Sequence, residues 1–477
     1  MPPRPLGAGR TGDCDEVRAT KFRYGLRTAI ASIFGAFALV FAVQDDARAA
    51  VGVTDCHIGI YQLRDGSVVD IGATDGDHFR WRRKDGTSGV LTAAADGSWT
   101  STLGWTERPD GKRVSLPDCS TGQIIFEGVQ GQRIALDVTE TKFEGAGAHL
   151  AGRLVMPHGN GRVPIVVLIH GSEDFSARDF YSLQRLLPTE GIGVFVYDKR
   201  GTGASGGLYS QNYLLLADDA IAAVHEAKRL AGSRAGKIGY QGGSQGGWVA
   251  PLAAKIEPVD FVIVGFGLAV SAIEEDRESI ALDMTNHGYD AQVMSKAMEV
   301  ADAVAAIIRS GLRDGYAGLA ALRAKYSNEP WFKHVHGDIT WLFLQTPEAE
   351  VREKGPPMIA GLPADYDPMP VLRNLDVPQL WILGEDDTDA PSAETAKRLR
   401  GLIEHGKPIT LAVFPHADHG IYEYETTADG KRLSTRNSDG YFTMMRDFIR
   451  NGKIDGAYGK SAIDLPQKQA KNSAKKS

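Results

Sequence analysis

Residues 51–128 carry short apolar runs at 57–63, 67–72, 78–83 and 99–105. The pairs Asp65-Gly66, Asp85-Gly86, Asp96-Gly97 and Asp110-Gly111 punctuate them. Asp-Gly between alternating runs favours a tight hairpin, because glycine reaches positive φ without a steric clash. The stretch 50–128 is therefore expected to be a small antiparallel β-domain. Its aromatic residues read as the packed core of an accessory domain; a glycan-binding face is the alternative.

The texture changes after Gly131. Residues 133–139 and 149–156 predict a leading hairpin. Apolar runs then alternate with helical patterns. Runs at 164–170, 193–197, 237–241, 261–265, 379–383 and 410–414 suit buried strands. Between the second and third lies 214–230, with Leu214, Ala217, Ile221, Val224 and Ala227 at helical spacing. Alternating strand and helix implies a mostly parallel sheet with helices on both faces. The rhythm breaks at 273–372, where 291–310 and 315–326 are helical patterns and Trp331, Phe332, Trp341 and Phe343 cluster. An insertion there would sit over the mouth of the sheet as a helical cap. Its aromatics serve either the cap's own core or the lining of a pocket. The unit is expected to span 129–452, and 453–477 to be a Lys-rich disordered tail.

The first 49 residues do not read as fold. Lys21, Arg23 and Arg27 form a positive segment, 30–43 is apolar, and Ala47-Arg48-Ala49 supplies a small-x-small cleavage pattern. This is the signature of an export leader, and its apolar run is short of the roughly 20 residues a membrane span needs. A periplasmic or extracellular location follows, with no membrane insertion once the leader is removed. In that oxidising setting Cys56 and Cys119 are expected to form a disulfide. The net charge of −7 and the lack of a basic stripe with interleaved aromatics exclude a nucleic-acid partner. There is no Cys-x-x-Cys pair, and neither cofactor nor metal is expected.

Gly242-Gly243-Ser244-Gln245-Gly246-Gly247 lies between the run at 237–241 and a helical pattern at 248–256. A Gly-x-Ser-x-Gly turn between strand and helix projects its serine from a strained backbone, and the helix N-terminus aims free N–H groups at the site. Ser244 is thus a candidate nucleophile. A serine hydroxyl needs a base, and the loop after 410–414 offers His416 and His419. A base needs an orienting acid, and the loop after 379–383 offers Glu385, Asp386, Asp387 and Asp389. The segment from Tyr197 to Gly206, with Asp198 and Arg200, reads as a tight structural loop.

With His170-Gly171-Ser172 at the end of 164–170, these landmarks resemble the α/β-hydrolase superfamily over about 133–450. Within it the chain looks like the serine aminopeptidase and prolyl-oligopeptidase-like branch, and like bacterial carboxylesterases with a helical cap. Ser244-Gln245-Gly246-Gly247 is also similar to acetyl xylan esterases, but those pair Arg-Gly-Gln with His-Glu, whereas this chain has Arg200-Gly201-Thr202 and His419-Gly420. The resemblance implies an α/β-hydrolase fold and selects among the candidates. His419, followed by Gly420-Ile421, is the base. Asp387, three residues after Gly384, is the acid. The backbone N–H groups of Ser172 and Gln245 form an oxyanion hole.

The expected activity is cleavage of a carboxylic ester through an acyl-serine. The same triad cleaves amides, so a short-peptide substrate is the second reading; Glu173, Glu274, Glu275 and Asp276 are then candidate anchors for a substrate terminus. A thioesterase and a non-catalytic binding protein on this fold are the further alternatives.

Overall fold

The computed structural model describes residues 56–74 and 76–466. The expected leader and the Lys-rich end of the chain lie outside the described residues. Strands β1 (Gly59–Leu63), β2 (Val68–Ala73), β3 (Phe79–Arg83), β4 (Ser88–Ala93), β5 (Trp99–Leu103), β6 (Pro109–Ser115), β7 (Gln123–Phe126) and β8 (Val129–Arg133) run antiparallel. They close into a barrel by pairing β1 with β8.

The first three Asp-Gly pairs make hairpin turns. Gly66, Gly86 and Gly97 have φ of 88°, 94° and 80°, and each preceding Asp accepts from the backbone N–H two residues on. Asp110-Gly111 differs: it falls inside β6, next to a register shift against β5. The barrel also extends past the expected boundary at 128, because β8 is its closing strand. Tyr61, Ile71, Trp81, Leu91, Ile124 and Phe126 fill its interior, so most of its large aromatics are core. A disulfide joins Cys56 to Cys119, with Cα atoms 5.8 Å apart across 63 residues of chain. A loop of that length restricts the unfolded chain by about 4 kcal/mol.

The second unit opens with the hairpin β9 (Leu136–Glu144) and β10 (His149–Pro157). Strands β11 (Val163–Ile169), β12 (Gly193–Tyr197), β13 (Ala235–Gly243), β14 (Phe261–Gly265), β15 (Gln379–Gly384) and β16 (Ile409–Phe414) are mutually parallel. Successive residues of β11 show why the run is apolar throughout. Ile165, Val167 and Ile169 enter one core, and Val166 and Leu168 enter the other. Each face is covered, and each buried side chain of this size contributes about 2 kcal/mol.

Past β16 the chain forms β17 (Ala417–Asp418), β18 (Tyr422–Thr426) and β19 (Arg432–Asn437), a small antiparallel sheet. Then β20 (Ala462–Asp464) pairs with the free edge of β16. The expected tail from 453 therefore begins as structured chain: Ile454 and Tyr458 are buried and β20 extends the sheet. The final order is β20-β16-β15-β14-β13-β11-β12-β10-β9.

Six helices separate β14 from β15, from Ala272–Asn286 to Met369–Arg373, and form the insertion. Trp331 and Phe343 are buried in its core, while Phe332 and Trp341 are half-exposed.

The barrel docks on the second unit through two contacts. Outward-facing Ile60 and Val68 join the core beneath the helix Leu183–Leu186, and buried Asp70 accepts hydrogen bonds from Arg185, one of them 3.1 Å long. The other contact grips the β18–β19 hairpin. Trp105 N donates to Ser434 O at 2.8 Å, Asn437 N donates to Gly86 O at 3.0 Å, and the Trp105 and Tyr422 rings meet edge-on. The barrel thus buttresses the segment that immediately follows His419.

Candidate active site

Ser244 stands between β13 and the helix Gly246–Ile256, with φ of 51°. That left-handed conformation is strained for a residue with a Cβ. Packing holds it: Ser244 N donates to Gly265 O at 3.1 Å, and Gly247 N donates to Ser244 O at 2.7 Å. The turn is too tight for a side chain at Gly242, where a Cβ would lie 2.3 Å from Gly246 O.

His419 sits between β17 and β18, and Asp387 just after β15. The two side chains meet: His419 Nδ1 donates to Asp387 Oδ2 at 3.0 Å. Asp387 is buried, and its other oxygen accepts Asp389 N at 3.1 Å and Ala390 N at 2.8 Å. Burial alone would lower the His419 pKa. The Asp387 charge and hydrogen bond, with Asp389 and Asp418 nearby, outweigh that and push it up to about 9. The competitors stand apart. His416 is largely exposed, and Asp386 accepts a hydrogen bond from Tyr424 OH at 2.8 Å.

One residue that sequence reasoning missed bridges the Ser244 turn and His419. Phe266, just past β14, has φ of 42° and lays its ring 4.9 Å from the His419 ring. A Cβ on Gly243 would sit 2.6 Å from the same ring. Phe266 therefore packs between the Ser244 turn and His419. A positive φ on an aromatic leaves no composition signal.

The backbone N–H groups of Ser172 and Gln245 donate to no acceptor among the described residues. Gln245 precedes the first turn of Gly246–Ile256, whose dipole places positive charge there. The Ser172 turn is held by a network the sequence did not suggest. Buried Lys199 Nζ donates to Gly171 O at 2.8 Å, Lys199 N donates to His170 Nε2 at 3.0 Å, and Tyr209 OH donates to Ser172 O. Asp198 and Arg200 pin the neighbouring loop as expected: Asp198 accepts from Ser176 OH, and Arg200 forks onto Asp219 with two bonds of 2.7 Å.

Three of the four candidate anchors for a peptide terminus are bonded within the protein, and the fourth, Glu275, is buried. Burial would raise the Glu173 pKa, but His170, Lys199 and the Tyr181 hydroxyl hold it down at about 2. Glu274 caps its own helix through Ser271 and binds Arg398. Asp276 accepts Ile339 N, Thr340 N and Thr340 OH, capping the helix Asp338–Gln345. Glu275 is buried. Burial, then the charges of Asp387, Asp276 and Asp389, push its carboxyl well above the ordinary range.

The profile of the alpha/beta hydrolase family matches residues 166–429. Among solved structures, an esterase of Pyrococcus furiosus is similar at 16% identity, covering 60% of this chain and 84% of that one, with a TM-score of 0.39. An acylaminoacyl peptidase of Pyrococcus horikoshii is similar at 14% identity over 84% of this chain and 57% of that one, with a TM-score of 0.41. Est1E of Butyrivibrio proteoclasticus, solved with ferulic acid bound, is similar at 17% identity over 65% of this chain and 97% of that one, with a TM-score of 0.37. No curated protein matches the chain. The family match covers more than half of the chain and includes the Ser244 turn, Asp387 and His419, so the chain belongs to the alpha/beta hydrolase family.

Proposed function

We propose that this hydrolase is an exported serine esterase, with Ser244 as nucleophile, His419 as base and Asp387 as the acid that orients it. The observation that carries the reading is the His419 Nδ1 to Asp387 Oδ2 bond, with Phe266 packed against both the His419 ring and the turn that holds Ser244 at positive φ. With Nδ1–H fixed on the carboxylate, Nε2 carries the lone pair. It takes the Ser244 proton as Oγ attacks the ester carbonyl. The oxyanion that develops is received by the N–H groups of Ser172 and Gln245. The tetrahedral intermediate collapses as His419 returns the proton to the leaving alkoxide, leaving an acyl-serine. Water, deprotonated by His419, then attacks that acyl group and frees Ser244.

The ester reading is favoured over the peptidase reading by the four acidic residues. Glu173, Glu274 and Asp276 already bind partners within the protein, and Glu275 is buried where the Asp387 charge opposes its ionisation. An amide also demands protonation of a poor leaving amine in good geometry, with subsites to hold the peptide. A panel of nitrophenyl esters and aminoacyl-nitroanilides is the test. Esters are expected to turn over faster; anilides turning over faster than esters would transfer the assignment to a peptidase.

Export rests on the leader at 1–49 and is in keeping with the Cys56–Cys119 bridge. No helix among the described residues is long and apolar enough to cross a membrane. Intact mass of exported material should begin near Ala49; a mass that still includes 30–43 would refute cleavage.

A further inference from the structure

The insertion carries a second cluster of chemistry, remote in role from the triad. Asp283 and His287 lie one turn apart at the end of the helix Ala272–Asn286, so their side chains share a face. The turn Phe332–His334 and the residues after it bring His334 and His336 against them. One ligand-type atom each from Asp283, His287 and His334 falls within 4.8 Å of the others. The His287 and His334 rings overlap with centroids 3.7 Å apart. His287 Nδ1 is 3.5 Å from Asp283 Oδ1, and His336 Nδ1 is 3.2 Å from Asp283 Oδ2. Despite that proximity, Asp283 Oδ2 is a buried atom that accepts no hydrogen bond.

These spacings have a chemical meaning. Ligand atoms placed tetrahedrally about 2.0–2.1 Å from a zinc ion stand about 3.4 Å from one another. The Asp283–His287 and Asp283–His336 separations are near that edge and run to different oxygens of Asp283; His287 Nδ1 donates to Asp283 O at 2.9 Å, which leaves Nε2 as the nitrogen that His287 offers a metal. Three imidazoles and one carboxylate suit zinc, whereas calcium and magnesium take oxygen ligands.

We propose that Asp283, His287, His334 and His336 form a binding site for a divalent transition-metal cation, zinc by the chemistry of the set. The bound ion joins the end of one cap helix to the turn that leads into another, Asp338–Gln345. At their other contact the same two helices are already tied by Asp276, which accepts Ile339 N and Thr340 N. The metal therefore fixes a second point and stiffens the cap. Because all four ligands come from the insertion and none from the triad, the site's role is structural.

The test is isothermal titration of Zn2+ into the purified protein after it has been stripped with EDTA and dialysed. His287→Ala, His334→Ala and the remote control His405→Ala are titrated in parallel. His287 is an exposed residue at a helix end, so its replacement leaves the core untouched. Circular dichroism of the metal-free proteins checks that each variant folds. The wild type and His405→Ala are expected to bind one ion saturably and to melt at higher temperature with Zn2+. Each cluster variant is expected to bind at least about tenfold more weakly and to lose the thermal shift. No saturable binding up to about 100 µM Zn2+, or a loss below about tenfold in both cluster variants, overturns the proposal.

Discussion

Replacing Asp387 by Asn separates the orienting role of the carboxylate from its packing. The two side chains are nearly the same size, and Asp387 is 2% exposed, so the loop keeps its shape. The hydrogen bonds change. The amide oxygen can still accept Asp389 N and Ala390 N, as Oδ1 does at 3.1 and 2.8 Å. Its NH2 then faces His419 Nδ1, where Oδ2 now accepts at 3.0 Å. The imidazole must present a lone pair there and carry its proton on Nε2, which removes the base from Ser244. The charge that stabilises the imidazolium is lost as well. A kcat loss of about 10⁴-fold is expected, or about 5 kcal/mol of transition-state stabilisation at about 1.4 kcal/mol per tenfold. Folding stability should fall as well at neutral pH, because the native state loses the charge that holds the buried His419 imidazolium. Nitrophenyl ester turnover with urea unfolding gives both readouts. The reasoning is refuted if Asp387→Asn keeps activity within about threefold of wild type, or if Asp386→Asn or Asp389→Asn is the crippling change.

His419 accepts a proton only when neutral, and its pKa is pushed up to about 9, so kcat/KM should climb from pH 7 toward pH 9. The linked folding term runs the other way: a raised pKa stabilises the native state fully below about 6.5 and loses that stabilisation as pH rises through about 9. A rate plateau already reached at pH 7 would remove the carboxylates from this role. Gly242→Ala would set a Cβ 2.3 Å from Gly246 O, a backbone atom that cannot step aside, and should cost about 1–3 kcal/mol and most activity; a variant as stable and active as wild type would show that the turn is not tight. Arg185→Ala leaves Asp70 buried without its main partner and should lower stability by about 3–5 kcal/mol, read by urea unfolding, and an unchanged midpoint would mean that the barrel docks without this pair.

The parallel sheet was legible because burial on both faces leaves mostly apolar runs, clearest in the Val/Ile-rich β11, and β11 through β16 fall where those runs are. Helix phase was less so. In Tyr213–Ala231 the buried face runs through Leu216, Ala217, Ala220, Ala223, Val224 and Ala227, whereas Leu214 is 61% exposed. Leu214 fits the helical spacing of the apolar positions, yet alanines make the close approach to the sheet. The barrel's closure was hidden for a different reason. Strands β6 and β8 are rich in Asp, Lys, Gln and Arg, and they pair by backbone hydrogen bonds that polar sequence does not announce. The β18–β19 hairpin was also unseen, since most residues of its two strands are half-buried and carry no alternation. At the candidate site, Ser244, Asp387 and His419 drew notice in the sequence because each follows a strand in a loop of characteristic residues, and the structure brings Asp387 and His419 together. Phe266 and Lys199 could not, because their importance lies in what they touch.

That Ser244 is the nucleophile is tested most directly by fluorophosphonate labelling followed by peptide mass spectrometry. A fluorophosphonate reacts only with a serine activated by its base, so wild type should carry one adduct, on the peptide that contains Ser244. Ser244→Ala should remain unlabelled and should not turn over nitrophenyl esters. An adduct on another residue, or ester turnover by Ser244→Ala at the wild-type rate, would contradict the assignment.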